Sequence, residues 1–360
     1  MNEIESLVIL SSIPSLGPIK IRALIDRFGT AEKALKAPLQ QIAELKGFSA
    51  IAPFWNSWQQ NLLWQQDLKL AEKENVQIIP FTSPIFPKSL LNTNDFPTHL
   101  YVKGSLLEQD RLSLAVIGTR NATIYGMESA ETISQVLAEN GCTIVSGLAR
   151  GIDTAAHKGA LKGGRTIAVI GSGLSHIYPA ENKKLAEQIC QSGALISQFQ
   201  MLTPPDKHNF PRRNKIVSGL TLGSLLIEAP IKSGAMITME SAYMQKRKLF
   251  ALPGRADQEN FTGNHMLIKS GKAALIDGAN DLLSHFNLKK SPSPSQPINS
   301  SLSEEEKLLL NLMSNQEMTI DELTSKAKWP VYQVQRILMG LLLKKAIKEF
   351  AGKIYKKTAA

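Results

Sequence analysis

The chain has 360 residues, 43% hydrophobic and 20% charged, a balance that suits a soluble globular protein of two or three domains. No apolar run approaches the ~20 residues of a membrane span, and MNEIESLVIL has neither the basic start nor the small-residue cleavage site of a signal peptide. The two cysteines, Cys142 and Cys190, lack metal-ligand neighbours and read as buried thiols in a reducing cytoplasm.

Net charge is +10 but uneven: residues 1–110 carry −1, residues 111–284 carry +6 and residues 285–360 carry +5. A polyanionic partner such as nucleic acid explains that excess as well as solubility does. Residues 1–75 read as short helices: ESLVILSSI, IKIRALIDRF, AEKALK, LQQIAEL and a Trp-rich stretch. IPSLGPIKIRALIDRF has the form of a helix–hairpin–helix (SAM-like) unit, with Lys20 and Arg22 after the L-G-P turn. Such a turn either grips a DNA phosphate or serves packing or partner binding. Trp55, Trp58 and Trp64 fall at helical spacing and are expected in the core.

A proline-rich connector follows at 76–110, with THLYVKG as a short strand. From Leu112 the runs SLAVIG, CTIVSG, TIAVIG, ALISQF, GSLLIEA and LFALPG alternate with helical segments. Continuous apolar strands of this kind predict a doubly wound parallel α/β sheet over 76–286, an extended Rossmann-like core. Its ligand belongs beyond the carboxyl ends of the strands.

The loops at those ends carry the candidate residues. VIGTRNATIYG offers Gly118 and Arg120 to an anion; it is not G-x-G-x-x-G, and no acid ends the next strand to hold a ribose. SGLARGIDTAAHKG sets Ser146, Gly147, Arg150 and Gly151 before a helix start, a phosphate cradle in form. Asp153 reads as a helix cap, and His157 as a packed or surface side chain. Gly171-Ser172-Gly173 forms a second amide nest. DKHNFPRRNK gathers Lys207, Asn209, Phe210, Arg212, Arg213 and Asn214, cations around a ring that suit phosphates and a stacked base. Glu228 ends a further strand; it is open to reading as an acid or base, a helix cap, or a group orienting an arginine.

NLKKSPSPSQPINSSL, at 287–302, is a Ser/Pro linker. Residues 303–360 read as helix, helix, helix and ribbon, a winged helix opened by a Ser303/Glu306 capping box. Its third helix shows only Gln333, Gln335 and Arg336 before Lys344–Lys345, which is thin for base reading and points to a partner or weak phosphate contact. The chain has no GxxxxGK[ST], HExxH or GxSxG and no Cys/His cluster, so neither metal nor cofactor is expected.

With these residues laid out, SGLARGIDTAAHKGAL, GGRTIAVIGSGLSHIYPAEN, NFPRRNKIVSGL and SGAMIT, in this order, resemble the bacterial DNA-processing protein A family (DprA, also called Smf) over nearly the whole chain. The resemblance implies a cytoplasmic, non-enzymatic protein that binds single-stranded DNA. It further implies a homodimer through the Rossmann-like core and help in loading RecA onto DNA during natural transformation. Its strand-binding positions fall on Arg120, Ser146, Gly147, Arg150, Lys207, Asn209, Phe210 and Arg212, and the Gly171–Gly173 nest matches as well. Thr262 and His265 stand where the family often has arginine, which puts phosphate contacts from FTGNHMLI in doubt. The competing class is a nucleoside-monophosphate phosphoribohydrolase on a related core. Its PGGxGT loop is replaced here by EAPIKSGAMIT, which keeps the glutamate and one glycine.

Overall fold

A computed structural model describes residues 1–60, 62–288, 302–313, 318–344, 346–350 and 353–357. The chain divides into two compact units, Met1–Ser291 and Pro292–Ala360. Most of the expected Ser/Pro linker, 289–301, lies outside the described residues, as does Lys345.

The first unit opens with α1 (Glu3–Ser12), α2 (Pro18–Phe28), α3 (Ala31–Leu35), α4 (Leu39–Ala43) and α5 (Leu63–Lys73). A reciprocal cap between Asn2 and Glu5, both bonds 2.8 Å, fixes the start of α1. Its run Leu7–Leu10 is fully buried with Leu24, Ile42 and Trp55, while Trp58 and Trp64 pack partly buried on the same cluster. The tryptophans are therefore core. Arg22 does not face outward: it donates to the carbonyls of Phe96 and Asn94, both at 2.5 Å, and lies 3.8 Å over the Phe96 ring. Of the two uses open to the hairpin, Arg22 serves packing; it fastens α2 to the connector.

The sheet follows with β1 (Gln77–Pro80), α6 (Lys88–Leu91), β2 (His99–Gly104), β3 (Ser113–Ile117), α7 (Ile124–Glu139), β4 (Thr143–Ser146), α8 (Ile152–Gly163), β5 (Thr166–Val169), α9 (Lys183–Ser192) and β6 (Ala194–Ser197). It continues with α10 (Asn209–Leu220), β7 (Gly223–Leu226), α11 (Gly234–Met244), β8 (Lys248–Ala251), α12 (Thr262–Lys269), β9 (Ala274–Leu275) and α13 (Ala279–His285). The strand order is β1-β2-β6-β5-β4-β3-β7-β8-β9. All six apolar runs became strands β3 to β8, and they pair in parallel as the pattern requires. The sheet also has an antiparallel wing, because β2 pairs against β6 and β1 against β2.

Alternation along β3 divides the two faces. Leu114 and Val116 pack with Leu137, Ala156 and Leu282 of α7, α8 and α13. Ala115 and Ile117 pack with Val217 and Met239 of α10 and α11. From β3 the chain builds β4, β5 and β6 on one side and then returns to place β7 on the other. The β3/β7 junction is thus the switch point where a parallel sheet leaves a crevice outside its carboxyl edge.

The second unit contains α14 (Glu304–Met313), β10 (Met318–Thr319), α15 (Ile320–Ala327), α16 (Val331–Leu343), β11 (Ile347–Phe350) and β12 (Ile354–Lys357). Three antiparallel strands, ordered β10-β12-β11, and a core of Leu309, Leu323, Val334 and Leu341 make a winged helix. The Ser303/Glu306 box is present, with bonds of 2.7 and 3.2 Å. Gln333 and Arg336 of α16 both donate to Glu305, at 3.1 and 2.8 Å. Two of the three polar groups expected to meet a ligand are therefore engaged, and Tyr332, Met339 and Leu343 stand exposed beside them. Among the described residues no helix is long and apolar enough to cross a membrane.

Candidate nucleic-acid interface

The turn after β4 does not present its amides outward. Asp153, at the second position of α8, accepts from the N–H groups of Gly147 (3.1 Å) and Ala149 (3.3 Å). It caps the preceding turn rather than its own helix, so two donors of the expected cradle are already held by a carboxylate. Burial raises its pKa, and the Arg213 cation opposes that rise. Gly151 adopts φ +71 and leaves Ile152 N bonded to Thr119 O. Ser146 Oγ donates to Val116 O at 2.7 Å, a link inside the sheet.

Gly147 is required by a neighbour. A Cβ there would lie 1.4 Å from Nη1 of Arg213, which comes across from α10. Arg213 is only 5% exposed, donates Nη1 to Val169 O at 3.0 Å, and has no acceptor for Nε. Burial lowers its pKa, with Asp153 pulling the other way. His157, fully buried, bonds Thr166 Oγ1 through Nδ1 at 2.7 Å, and burial pushes it down to about 3. It is a packed histidine.

The Gly171–Gly173 turn is likewise folded on itself. Gly173 N donates to Thr203 O at 2.8 Å and Ser172 Oγ to His176 O at 2.6 Å. A Cβ on Gly173 would meet the carbonyls of Gln200 and Met201, both at 2.1 Å. Gly171 is the seat of Phe210, whose Cδ1 would lie 2.7 Å from an added Cβ. Around that ring stand Arg120, its guanidinium 5.2 Å from the centroid, and Tyr178, ring to ring 6.0 Å. Tyr178 is 42% exposed and was missed by the sequence reading; a tyrosine in a loop after a strand-end glycine turn was the available signal.

Gly118 packs on Ile152, whose Cγ1 would lie 2.4 Å from an added Cβ. Glu228 is fully buried and accepts from Thr123 N, Thr123 Oγ1 (2.7 Å) and Asn260 Nδ2 (2.6 Å). Of its three readings the cap holds, since these bonds fix the start of α7.

The cations sort by partner. Arg150 forms a bidentate pair with Glu181 at 2.5 and 2.9 Å, Lys215 pairs with Asp95, and Arg255 with Asp257 at 3.0 and 2.8 Å. Among the described residues no carboxylate lies at ion-pair distance from Arg120, Lys207, Arg212 or Lys232. Arg212 instead lies 4.9 Å over the Phe199 ring, and Asn214 Nδ2 bonds Gly234 O at 3.3 Å. Lys207 and Asn209 sit at the entrance to α10. Thr262 and His265 hold their own loop through Glu259 O (2.7 Å) and Gly254 O (3.1 Å). The β3/β7 switch point opens as a crevice of about 470 Å³ that Arg120, Phe210, Arg213 and Lys232 line together.

The model of the family described as DNA recombination-mediator protein A matches residues 77–287, and that of the DprA winged helix domain matches residues 292–353. Protein Smf of Escherichia coli K12 is 39% identical over 282 residues, 76% of this chain and 75% of that protein. DNA processing protein DprA of Streptococcus pneumoniae R6 is 42% identical over 202 residues, 56% of this chain and 71% of that one. The crystal structure of DNA processing protein A from Streptococcus pneumoniae superposes with a TM-score of 0.68 at 32% identity, over 79% of this chain and 98% of that one. The Helicobacter pylori DNA processing protein A, described for its single-stranded DNA binding mode, superposes with a TM-score of 0.54 at 31% identity, over 59% and 97%. The chain belongs to the DNA recombination-mediator protein A family.

Proposed function

We propose that this protein binds single-stranded DNA along the carboxyl edge of its sheet and acts as a recombination mediator rather than an enzyme. The observation that carries the reading is Arg120 over the half-buried Phe210 ring, with Arg212 over Phe199 and Lys207 just ahead of α10, none of the three with a carboxylate partner. Cations of this kind take phosphates, and a ring beside them takes an unstacked base, which a duplex does not offer. The Helicobacter pylori relative, whose single-stranded DNA binding mode has been described, supports the same ligand. Arg150 joins the path by exchanging Glu181 for a phosphate, a small cost because exposed ion pairs contribute little. Gly118, Ser146, Gly147, Gly151, Gly171, Ser172, Gly173 and Arg213 serve as the scaffold that holds these side chains in place.

Family membership also supports a protein that protects incoming DNA, helps load RecA during natural transformation, and works in the cytoplasm as a homodimer through the Rossmann-like core. A phosphoribohydrolase would need the Glu228 carboxylate at a ligand, and that group is buried and fastened to Thr123 and Asn260.

The test is a fluorescence-anisotropy titration against single- and double-stranded DNA of equal length at two salt concentrations. Tighter binding of the single strand is expected. Arg120→Gln with Lys207→Gln should weaken it and lower the slope of log K against log salt by about 1.4, at roughly 0.7 per lost phosphate contact. Equal affinity for the duplex, or an unchanged double variant, overturns the reading. Filament formation by RecA on strands coated with a single-strand binding protein, and light scattering of the purified chain, test mediation and the dimer.

A further inference from the structure

The turns that seat Phe210 are held from behind by α5, the last of the opening helices. Asp67 on α5 is only 5% exposed, and both its oxygens are engaged. Oδ2 accepts from the Tyr101 hydroxyl of β2 at 2.5 Å, and Oδ1 accepts from the N–H of Met201, beyond β6, at 2.6 Å. Burial raises the Asp67 pKa, and the bonds from Tyr101 and Met201 oppose that rise. Seven residues on, at the end of the same helix, Glu74 Oε1 accepts from Ser175 Oγ at 2.9 Å. Between the two carboxylates, Leu70 and Ala71 pack with Leu174, Ile177 and Met201. One helix thus grips both the turn after β5 and the turn after β6.

Those two turns bind each other and reach the ring. Ser175 N donates to Met201 O at 3.2 Å, and Gly173 N donates to Thr203 O. Gly171, at the start of the first turn, is the seat of Phe210, and Tyr178, near its end, stands against the same ring. Met201 is fully buried, whereas Leu202 and residues 204–208 are exposed. The approach to Lys207 and Phe210 therefore starts from an anchor that Asp67 holds. A buried carboxylate is costly, and an apolar side chain would pack there without that cost. What the carboxylate adds is an acceptor that fixes the Met201 backbone and, through it, the direction of the loop.

We propose that Asp67 and Glu74 are positioning residues for DNA binding: α5 holds the turns after β5 and β6 so that the Phe210 ring is already seated when a strand arrives. This role rests on the single-strand reading above and gives the opening helices a part in it without any contact to DNA. A platform formed in advance lowers the ordering cost of binding. It takes no phosphate, so it acts on the part of the affinity that salt does not touch.

The full chain is titrated with a thymidine oligonucleotide over a salt series, well below each variant's melting transition. Asp67→Leu should weaken binding about tenfold. Its slope of log K against log salt should equal that of wild type, since no phosphate contact is lost. Asp67→Asn should bind within about twofold of wild type, because its Oδ1 still accepts from Met201 N and its amide N–H meets a hydroxyl that also accepts. In a Phe210→Ala background, Asp67→Leu should cost nothing further, since both changes remove the same platform. Ser175→Ala removes only the Glu74 bond and should weaken binding about threefold, again at constant slope. It takes over the test if Asp67→Leu does not fold. Wild-type affinity in Asp67→Leu, or in Ser175→Ala where Asp67→Leu does not fold, overturns the proposal. A loss that persists in full beside Phe210→Ala, a lowered slope, or equal losses in Asp67→Asn and Asp67→Leu overturn it as well. If Phe210→Ala still weakens binding, only the positioning role is wrong. If Phe210→Ala and Arg120→Gln with Lys207→Gln both bind as wild type, the single-strand reading fails with it.

Discussion

Gly147→Ala tests whether the glycine turn after β4 is a ligand cradle or a scaffold. The added methyl would lie 1.4 Å from Nη1 and 2.4 Å from Cζ of Arg213, and 2.7 Å from Oδ2 of Asp153. The guanidinium cannot stay where it is. Moving it breaks the Nη1 bond to Val169 O, a charged hydrogen bond worth roughly 1.5–3 kcal/mol, and separates a buried cation from the carboxylate that opposes its desolvation. A total destabilisation of roughly 3–5 kcal/mol follows. In a unit of this size, at roughly 2–4 °C per kcal/mol, the melting temperature should fall by about 6–20 °C. Gly234→Ala, with nothing within 4 Å of the new methyl, is the control and should melt within a few degrees of wild type. Calorimetry reads the stability, and oligonucleotide titration well below the transition reads the affinity. A Gly147→Ala protein that melts with wild type yet binds DNA poorly would show that the glycine serves a ligand, and would refute the scaffold argument.

Burial holds His99 down to about 4 and His157 to about 3, against about 6.5 in the unfolded chain. The unfolded state takes up their protons first as pH falls, so their contribution is fully present above about pH 6.5. It is then lost toward pH 4 and 3, at about 1.4 kcal/mol per pH unit for each histidine. His157→Gln should flatten the urea-derived stability profile below pH 6.5, and an unchanged slope would contradict it. Arg22→Met removes two bonds and a ring contact that join α2 to the connector, so it should cost about 1–3 kcal/mol with oligonucleotide affinity unchanged. A fall in affinity from a stably folded Arg22→Met protein would instead restore a DNA-binding role for that hairpin.

The strands, their direction and their glycine-ended carboxyl edge were legible in the sequence because each is a local property. SLAVIG, CTIVSG and TIAVIG are apolar through their length and end in glycine, and a buried parallel strand followed by a tight turn needs nothing more. The winged helix showed itself the same way, through a capping box and two helical periods. The antiparallel wing did so only in part: THLYVKG read as a strand, but QIIP is only four residues, and the wing forms by β2 pairing along β6 and β1 along β2. At the site, residue types were readable but orientations were not. Arg212 and Arg213 are neighbours in the chain, yet one lies over Phe199 near the surface and the other is buried under Gly147. Arg150 meets a carboxylate 31 positions on, and Glu228 turns back 105 positions to Thr123. The sequence alone thus determined the sheet, its glycine-ended edge and the supply of cations there. Only the tertiary structure decided which cations and amides are already spent, because a charge is spent by what packs against it, and those partners are brought in by the fold from distant parts of the chain.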